Sequence, residues 1–175
     1  MALTAFNLKQ WIDENRHKLK PPVGNAQIWK EVHPEFMVMV VGGPNARKDF
    51  HVEDGEELFY QLEGDIVVRV VEDGVIRDIE IKEGDIFLLP PRVPHSPQRK
   101  ANTVGLVVER RRREGEQDGL QWYCEQCNAK LHEAFFPLTD ITTQLKPVME
   151  AFWANEELRT CKHCGTVMQP PVMPA

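Results

Sequence analysis

The 175-residue sequence has no long apolar run, no excess of positive charge and no cysteine outside two short pairs. No stretch approaches the roughly 18 consecutive apolar residues that a membrane helix needs. The segment from Met1 to Lys20 lacks the basic start, apolar middle and small-residue cleavage site of a secretory signal. A net charge of −6 gives no overall attraction to nucleic acid. We therefore expect a cytoplasmic protein that binds neither membranes nor nucleic acid.

The only concentrated positive charge is the run from Arg110 to Arg113. We interpret it as a solvated strand end rather than a binding patch, because the chain around it is acidic. The length of the chain allows one full domain and a small appendage, but not two large domains.

The order of apolar residues predicts a mainly β protein with a helix at its N-terminus. Leu8, Trp11, Ile12 and Leu19 fall on one side of a helix, which Pro21-Pro22 should stop. Short β-branched segments then alternate with turns, a pattern typical of a β-sandwich or barrel. Asp73-Gly74 is a two-residue hairpin signal, because both central positions of that turn need positive φ. The predicted strands are 27–32, 36–41, 58–62, 66–71, 75–81, 86–89 and 104–109.

The polar stretch from Glu114 to Gly119 predicts a linker. It divides the chain into a barrel with its N-terminal helix, residues 1–113, and an appendage, residues 114–175. The appendage carries one helical stripe, with apolar residues at intervals of three and four. The stripe consists of Ile141, Leu145, Val148, Met149, Phe152 and Trp153.

Two histidines and a glutamate are the strongest functional signal. His51 and Glu57 precede His95 by some forty residues, and they lie on separate strand-like segments. Two imidazoles and one carboxylate are the ligand set of a mononuclear non-haem Fe(II) site with open positions for substrate and O2. The same ligands also suit Mn, Ni or Zn, and any one histidine taken alone is more often a packed or surface residue.

The spacing around these ligands resembles the two signature motifs of the cupin superfamily. The motifs read His51-x-Glu53-x3-Glu57-x6-Gly64 and Gly84-x5-Pro90-x4-His95. Glu53 stands where the first motif has a second histidine, which reduces a four-ligand site to three, and Arg92 and Arg99 depart from the second motif. The resemblance implies a single jelly-roll barrel, with the N-terminal helix and a small C-terminal helix outside it.

Polar residues near the ligands indicate what the cavity binds. An arginine inside a barrel needs an acidic partner or an anionic ligand. Arg99 is a candidate for a bidentate clamp on a substrate carboxylate. Arg47 and Glu109 are expected to line the same cavity.

Four longer segments carry a narrower resemblance, to bacterial members of the 3-hydroxyanthranilate 3,4-dioxygenase family. It extends from the N-terminal helix to the last cysteine pair. The segments are Lys20-Pro21-Pro22-Val23-Gly24-Asn25, Val41-Gly42-Gly43-Pro44-Asn45, Glu57-Leu58-Phe59-Tyr60-Gln61-Leu62 and Gly84-Asp85-Ile86-Phe87-Leu88-Leu89-Pro90-Pro91-Arg92-Val93-Pro94-His95-Ser96-Pro97-Gln98-Arg99.

The family implies an Fe(II)-dependent, extradiol-type ring cleavage of 3-hydroxyanthranilate by O2. The product, 2-amino-3-carboxymuconate semialdehyde, cyclises to quinolinate in the kynurenine route to NAD. By this resemblance His51, Glu57 and His95 bind the catalytic iron. Glu57, Arg99 and Glu109 contact the substrate, Arg47 contacts oxygen, and a homodimer is expected.

All four cysteines occur as Cys124-x2-Cys127 and Cys161-x2-Cys164. In a cytosolic protein this pattern predicts one tetrathiolate site for Zn or Fe rather than disulfides. His132 and His163 are then ordinary polar residues, because four thiolates complete the shell. The family resemblance implies a rubredoxin-like iron site remote from the catalytic one.

Two other functions agree with the same residues. One is a non-catalytic cupin that binds a small carboxylate through Arg47 and Arg99 as a sensor or scaffold. The other is a cupin enzyme with a different substrate, such as a thiol or a sugar phosphate.

Overall fold

A computed structural model describes residues 4–21, 24–32 and 35–172. Pro22, half of the predicted helix stop, and the side chain of Ile141 lie outside the described residues. The helices are α1 (Leu8–Asn15), α2 (Ile141–Ala154) and α3 (Glu156–Arg159), with short 3-10 turns at Arg16–Leu19 and Lys30–Val32. The strands are β1 (Asn25–Ile28), β2 (Phe36–Gly42), β3 (Asp49–Val52), β4 (Glu57–Glu63), β5 (Ile66–Glu72), β6 (Val75–Ile81), β7 (Ile86–Leu89), β8 (His95–Gln98), β9 (Val104–Arg110), β10 (Asp118–Tyr123) and β11 (Lys130–Phe136).

These strands form two antiparallel sheets. A five-stranded sheet has the order β1-β2-β9-β4-β7, and a six-stranded sheet has the order β11-β10-β3-β8-β5-β6. From β2 to β10 the chain passes from one sheet to the other at every step except the β5–β6 hairpin, as in a jelly roll. Residues distant in sequence therefore face each other across the interior. The predicted mainly β barrel with helices at both ends is confirmed.

The barrel core is apolar at one end. Phe59 of the first sheet packs with Val68 and Val70 of the second, and all three side chains are buried. A second cluster packs α1 onto the outside of β2 through Ile12 and Val40. The remaining interior, between β3, β4, β8 and β9, holds polar residues instead.

The predicted hairpin and C-terminal helix agree with the structure, whereas the N-terminal α-helix ends at Asn15 and Leu19 lies in the 3-10 turn that follows. Asp73 and Gly74 have φ of 51° and 75°, and Glu72 pairs with Val75 across the turn. Asn7 caps α1 by accepting a hydrogen bond from the backbone N–H of Gln10 at 2.9 Å. Leu145, Val148, Met149, Phe152 and Trp153 of α2 pack against β10 and β11, as their spacing predicts.

The predicted strand 27–32 is wrong beyond Ile28. Trp29 has a φ of 58°, which breaks the extended chain, and Lys30–Val32 form a 3-10 turn. Sequence patterns also missed β3 and β8, because both are four residues long and their buried faces carry polar side chains.

The predicted linker is shorter than 114–119. Asp118 and Gly119 begin β10 and are buried, and β10 pairs with β3 of the barrel, so that Leu120 lies opposite His51. A Cβ on Gly119 would lie 2.5 Å from the ring of Phe135, so glycine lets that ring lie over the strand. Residues on both sides of the predicted boundary at 113/114 therefore share one sheet, and the division into two parts stays a prediction.

No helix among the described residues is long and apolar enough to cross a membrane.

Two valines of the β5–β6 hairpin test how far the core stabilises the barrel. Val68 is fully buried, whereas Val75 is 52% exposed. Val68→Ala should lower the free energy of unfolding by roughly 2 kcal/mol, because it removes buried methyl groups and leaves a cavity. Val75→Ala should change it by less than about 0.5 kcal/mol. Denaturant unfolding measures both, and equal losses would contradict the assigned core.

Candidate metal centre and active site

The two sheets bring the three predicted ligands together. His51 of β3 and His95 at the start of β8 are neighbours in the six-stranded sheet, where they form a registered pair. Glu57 begins β4 of the opposite sheet. One nitrogen or oxygen from each residue lies within 4.8 Å of the others, and all three residues are buried. The fold therefore presents two imidazoles and a carboxylate to one point.

The orientation of His95 suits a ligand. Its Nδ1 lies 3.1 Å from the carbonyl oxygen of Val93, and its Nε2 lies 2.8 Å from Oε2 of Glu57. A proton on Nδ1 leaves the lone pair of Nε2 directed at the carboxylate, which is the arrangement found around bound metals.

The charge of Glu57 is also explained by its neighbours. Burial alone would raise the pKa of Glu57, but the imidazoles of His95 and His51 hold that pKa below its ordinary value. Its Oε2 is buried and, apart from the 2.8 Å contact with Nε2 of His95, has no hydrogen-bond partner among the described residues. A metal ion would be a suitable partner for this buried oxygen, which lies between two imidazoles.

One cavity contains all the predicted active-site residues. Apolar side chains from both sheets and Leu145 of α2 complete its wall, so the appendage contributes to it. Its lining includes Arg47, His51, Glu57, His95, Arg99 and Glu109, together with Asn25, Met39, Val41, Asn45, Phe59, Pro97, Val107 and Leu145.

Arg99 is paired with no carboxylate in the part of the chain that the structure describes. It is 4% exposed, and its guanidinium makes one hydrogen bond, of 3.4 Å, to the side-chain oxygen of Gln61. No ion pair joins it to a carboxylate within the described part of the chain. Burial lowers the pKa of Arg99 to about 10, so it remains a cation at neutral pH.

Two residues that the sequence did not single out hold Arg99 in place. The side-chain oxygen of Asn45 accepts a hydrogen bond from the backbone N–H of Arg99 at 2.8 Å. A Cβ on Gly105 of β9 would lie 2.9 Å from Nη1 of Arg99, so glycine leaves the space that the guanidinium occupies.

Arg47, by contrast, is already paired. Its guanidinium contacts the carboxylate of Asp49, with Nε 3.2 Å from Oδ2, and Asp49 is 4% exposed. Burial would lower the pKa of Arg47, but Asp49 raises it above its ordinary value. Arg47 also lines a second cavity of about 520 Å³ beside the cysteines, and thus lies between that cavity and the metal centre.

Glu109 is held by Arg112, which corrects the interpretation of the basic run. The Arg112 side chain is only 8% exposed and forms ion pairs with Glu109, Glu53 and Asp118. Arg110 ends β9 and binds both carboxylate oxygens of Glu116. The run is therefore not a solvated strand end, because the acidic residues around it bury Arg112 and pair with Arg110.

Asp118 is a further residue of the site that sequence reasoning missed. It is fully buried, and its Oδ2 lies 2.6 Å from Nε2 of His51. The sequence assigned it to a linker, although the alternation of apolar and polar residues in Leu120-Gln121-Trp122 is a strand signal.

The four cysteines form a separate cluster at the end of β10. The Sγ atoms of Cys124 and Cys164 are 3.6 Å apart, as are those of Cys127 and Cys161. Four thiol sulfurs within 4.8 Å of one another fit a tetrahedral metal site. His132 stacks on Trp122 with ring centroids 5.8 Å apart and takes no part in the cluster.

Comparisons with known proteins give one consistent result. Residues 1–153 match the model of a family described as 3-hydroxyanthranilic acid dioxygenase. A 3-hydroxyanthranilate 3,4-dioxygenase of Xanthomonas euvesicatoria is 55% identical over 171 residues, which are 98% of this chain and 96% of that protein. Proteins of the same name from Ruegeria pomeroyi and Bacillus cereus are 50% and 47% identical, and each alignment covers at least 97% of this chain and 95% of the relative.

The separation of the two clusters leads to a prediction about metal content. His95→Ala removes one of three ligands and should abolish metal binding at the His–Glu site, while the four-cysteine site stays loaded. Elemental analysis of the purified variant measures both. Loss of metal from both sites together would contradict two independent centres, and His163→Ala, an exposed histidine near the cysteines, is the control that should lose neither.

Proposed function

The chain belongs to the 3-hydroxyanthranilic acid dioxygenase family, and we propose that it opens the aromatic ring of 3-hydroxyanthranilate with O2 in an Fe(II)-dependent, extradiol-type reaction. The product is 2-amino-3-carboxymuconate semialdehyde, which cyclises to quinolinate without the enzyme. This places the protein in the kynurenine route to NAD.

The observation that carries this proposal is the buried Arg99, which pairs with no carboxylate among the described residues and lies beside three candidate metal ligands. A buried guanidinium needs an anion, and the carboxylate of 3-hydroxyanthranilate supplies one. The neighbouring hydroxyl and amino groups of this substrate are a chelating pair. Three protein ligands leave about three positions of an octahedron free, which is enough for such a pair and O2.

Each residue then has a definite task. His51, Glu57 and His95 would hold the Fe(II), which would supply electronic contact between the chelating substrate and O2. Arg99 binds the carboxylate through two parallel hydrogen bonds, which fixes the ring plane. Glu109 accepts a proton or hydrogen bond from the chelating groups, Glu57 contacts the substrate beside the metal, and Arg47 stabilises the negative charge that develops on oxygen.

The four-cysteine site holds a second iron or a zinc ion, and we assign it a structural role. Dioxygenation has no net electron demand, so electron transfer through this site is not required. Residues 114–175 have a small core of their own, and a metal clamp would stabilise it. In this description 1–113 is the catalytic barrel and 114–175 is an appendage attached through β10.

We further propose a cytoplasmic homodimer. The outer face of the five-stranded sheet exposes large apolar side chains in register, with Tyr60 opposite Ile86 across β4 and β7. Patches of this kind mark protein–protein contacts. Its most exposed members are Phe36, Tyr60, Ile86 and Leu88, at 59%, 38%, 71% and 54%.

Anaerobic reconstitution tests the activity directly. Protein loaded with Fe(II) is mixed with 3-hydroxyanthranilate, O2 is then added, and product absorbance and oxygen consumption are followed together. We expect one O2 consumed for each ring opened. Absence of oxygen uptake from fully metallated protein would instead favour the non-catalytic carboxylate binder, and uptake with only a thiol or sugar phosphate would favour another cupin enzyme.

Arg99→Ala should raise KM for 3-hydroxyanthranilate, because it removes a contact made already in the bound substrate. The rise should be at least tenfold, since a charge-assisted hydrogen bond contributes about 1.5–3 kcal/mol. Gly105→Ala should raise KM in the same direction by displacing the guanidinium. Steady-state kinetics at saturating O2 provides the values, and unchanged KM in Arg99→Ala would remove Arg99 from the substrate site.

A further inference from the structure

We propose that Arg112 is a positioning residue. Its guanidinium holds the metal ligand His51 in place through Asp118, and it also holds the carboxylate of Glu109 on the substrate side of the cavity. The substrate half of this inference rests on the proposed function. The metal half does not, because it concerns only the ligand geometry of the barrel.

The contact chain to the metal centre is short and buried. Nε and Nη2 of Arg112 lie 2.8 and 2.6 Å from the two carboxylate oxygens of Asp118, a bidentate pair. Oδ2 of Asp118 then lies 2.6 Å from Nε2 of His51. A carboxylate that accepts from one ring nitrogen fixes the tautomer and leaves the lone pair on the other nitrogen for the metal.

The charge of Asp118 depends on both of its partners. Its two carboxylate oxygens accept hydrogen bonds from Nε and Nη2 of Arg112, and Oδ2 also contacts Nε2 of His51. Asp118 is fully buried. Without Arg112, an anion would remain in the protein interior with one imidazole as its partner, which is costly. We therefore expect its contact with His51 to weaken when the arginine is lost.

The same guanidinium reaches the other half of the cavity. Nη1 of Arg112 contacts Oε2 of Glu109 and lies 3.0 Å from Oε2 of Glu53. Glu109 lines the metal cavity and is 2% exposed. Arg112 itself does not line that cavity, so it acts on the site through Glu109 and Asp118 rather than by touching a ligand.

Only arginine has the geometry for this task. Its planar fork donates in three directions at once, whereas a lysine ammonium is a point charge on a flexible stem. Arg112 lies in the connection between β9, which carries Glu109, and β10, which begins with Asp118. One side chain thus joins strands that belong to opposite sheets.

The test measures metal affinity in the full-length protein without substrate. The His–Glu site is emptied, the four-cysteine metal is retained and measured separately, and Co(II) is titrated back anaerobically. Arg112→Lys keeps the charge but loses the fork, and should weaken Co(II) binding roughly 10- to 100-fold, the range typical of residues that orient metal ligands. Asp118→Asn should weaken it to a similar extent.

The double variant distinguishes positioning from general destabilisation. If Arg112 acts through Asp118, then Arg112→Lys combined with Asp118→Asn should bind Co(II) no more than about twofold weaker than Asp118→Asn alone. If the loss of Co(II) affinity in the double variant equals the product of the two single-variant losses, Arg112 does not act through Asp118 and the proposal is overturned. Arg110→Lys is the matched control, because Arg110 lies two residues away and pairs with Glu116, and it should stay within about twofold of the parent.

Parent-like Co(II) affinity in Arg112→Lys, or an equal loss in Arg110→Lys, would overturn the proposal. If Arg112→Lys does not fold, Asp118→Asn alone still decides the metal half, since unchanged affinity there contradicts it. Activity at saturating Fe(II) decides the substrate half. At saturating Fe(II), Asp118→Asn should regain the kcat/KM of the parent. Arg112→Lys should keep a kcat/KM at least tenfold below the parent, because Glu109 has lost its partner. Full recovery of kcat/KM in both variants would show that Arg112 does not act through Glu109.

Discussion

The architecture of the site depends on a group of charged side chains buried between two β-sheets. His51 and His95 come from one sheet, and Glu57 and Glu109 come from the other. Charged groups at this depth are stable only when each has a partner. Glu109 has Arg112, and the carboxylate and imidazoles of the triad have one another and the expected metal. Among the described residues Arg99 is the exception, because it contacts Gln61 and no carboxylate. We propose that the substrate carboxylate is its partner.

The parts of the chain that complete this site extend beyond the barrel motifs. β10 pairs with β3 and brings Asp118 to His51, and its far end leads directly into Cys124. Leu145 of α2 reaches the cavity wall. The cysteine cluster is thus attached, through β10, to the strand that carries His51. We propose that a metal held by the cysteines acts on the active site only through this structural connection.

Much of this was predictable from the sequence, for physical reasons that differ between residues. The hairpin at Asp73-Gly74 followed from backbone conformation alone, and the spacing of His51, Glu57 and His95 was enough to predict that they meet. Arg112 and Asp118 were not predictable in the same way, because a basic run and a polar stretch look solvated until a sheet buries them. The end of β1 at Ile28 depended on the positive φ of Trp29, which no apolar pattern encodes.

The central claim is that the metal triad and Arg99 form a single substrate site, and anaerobic calorimetry tests it most directly. 3-Hydroxyanthranilate is titrated into metal-loaded protein, metal-free protein and metal-loaded Arg99→Ala. The account predicts tight binding only in the first, because chelation and the carboxylate clamp act on the same molecule. Equal affinity in the metal-free protein, or in Arg99→Ala, would show that the two parts do not share a ligand and would contradict the account.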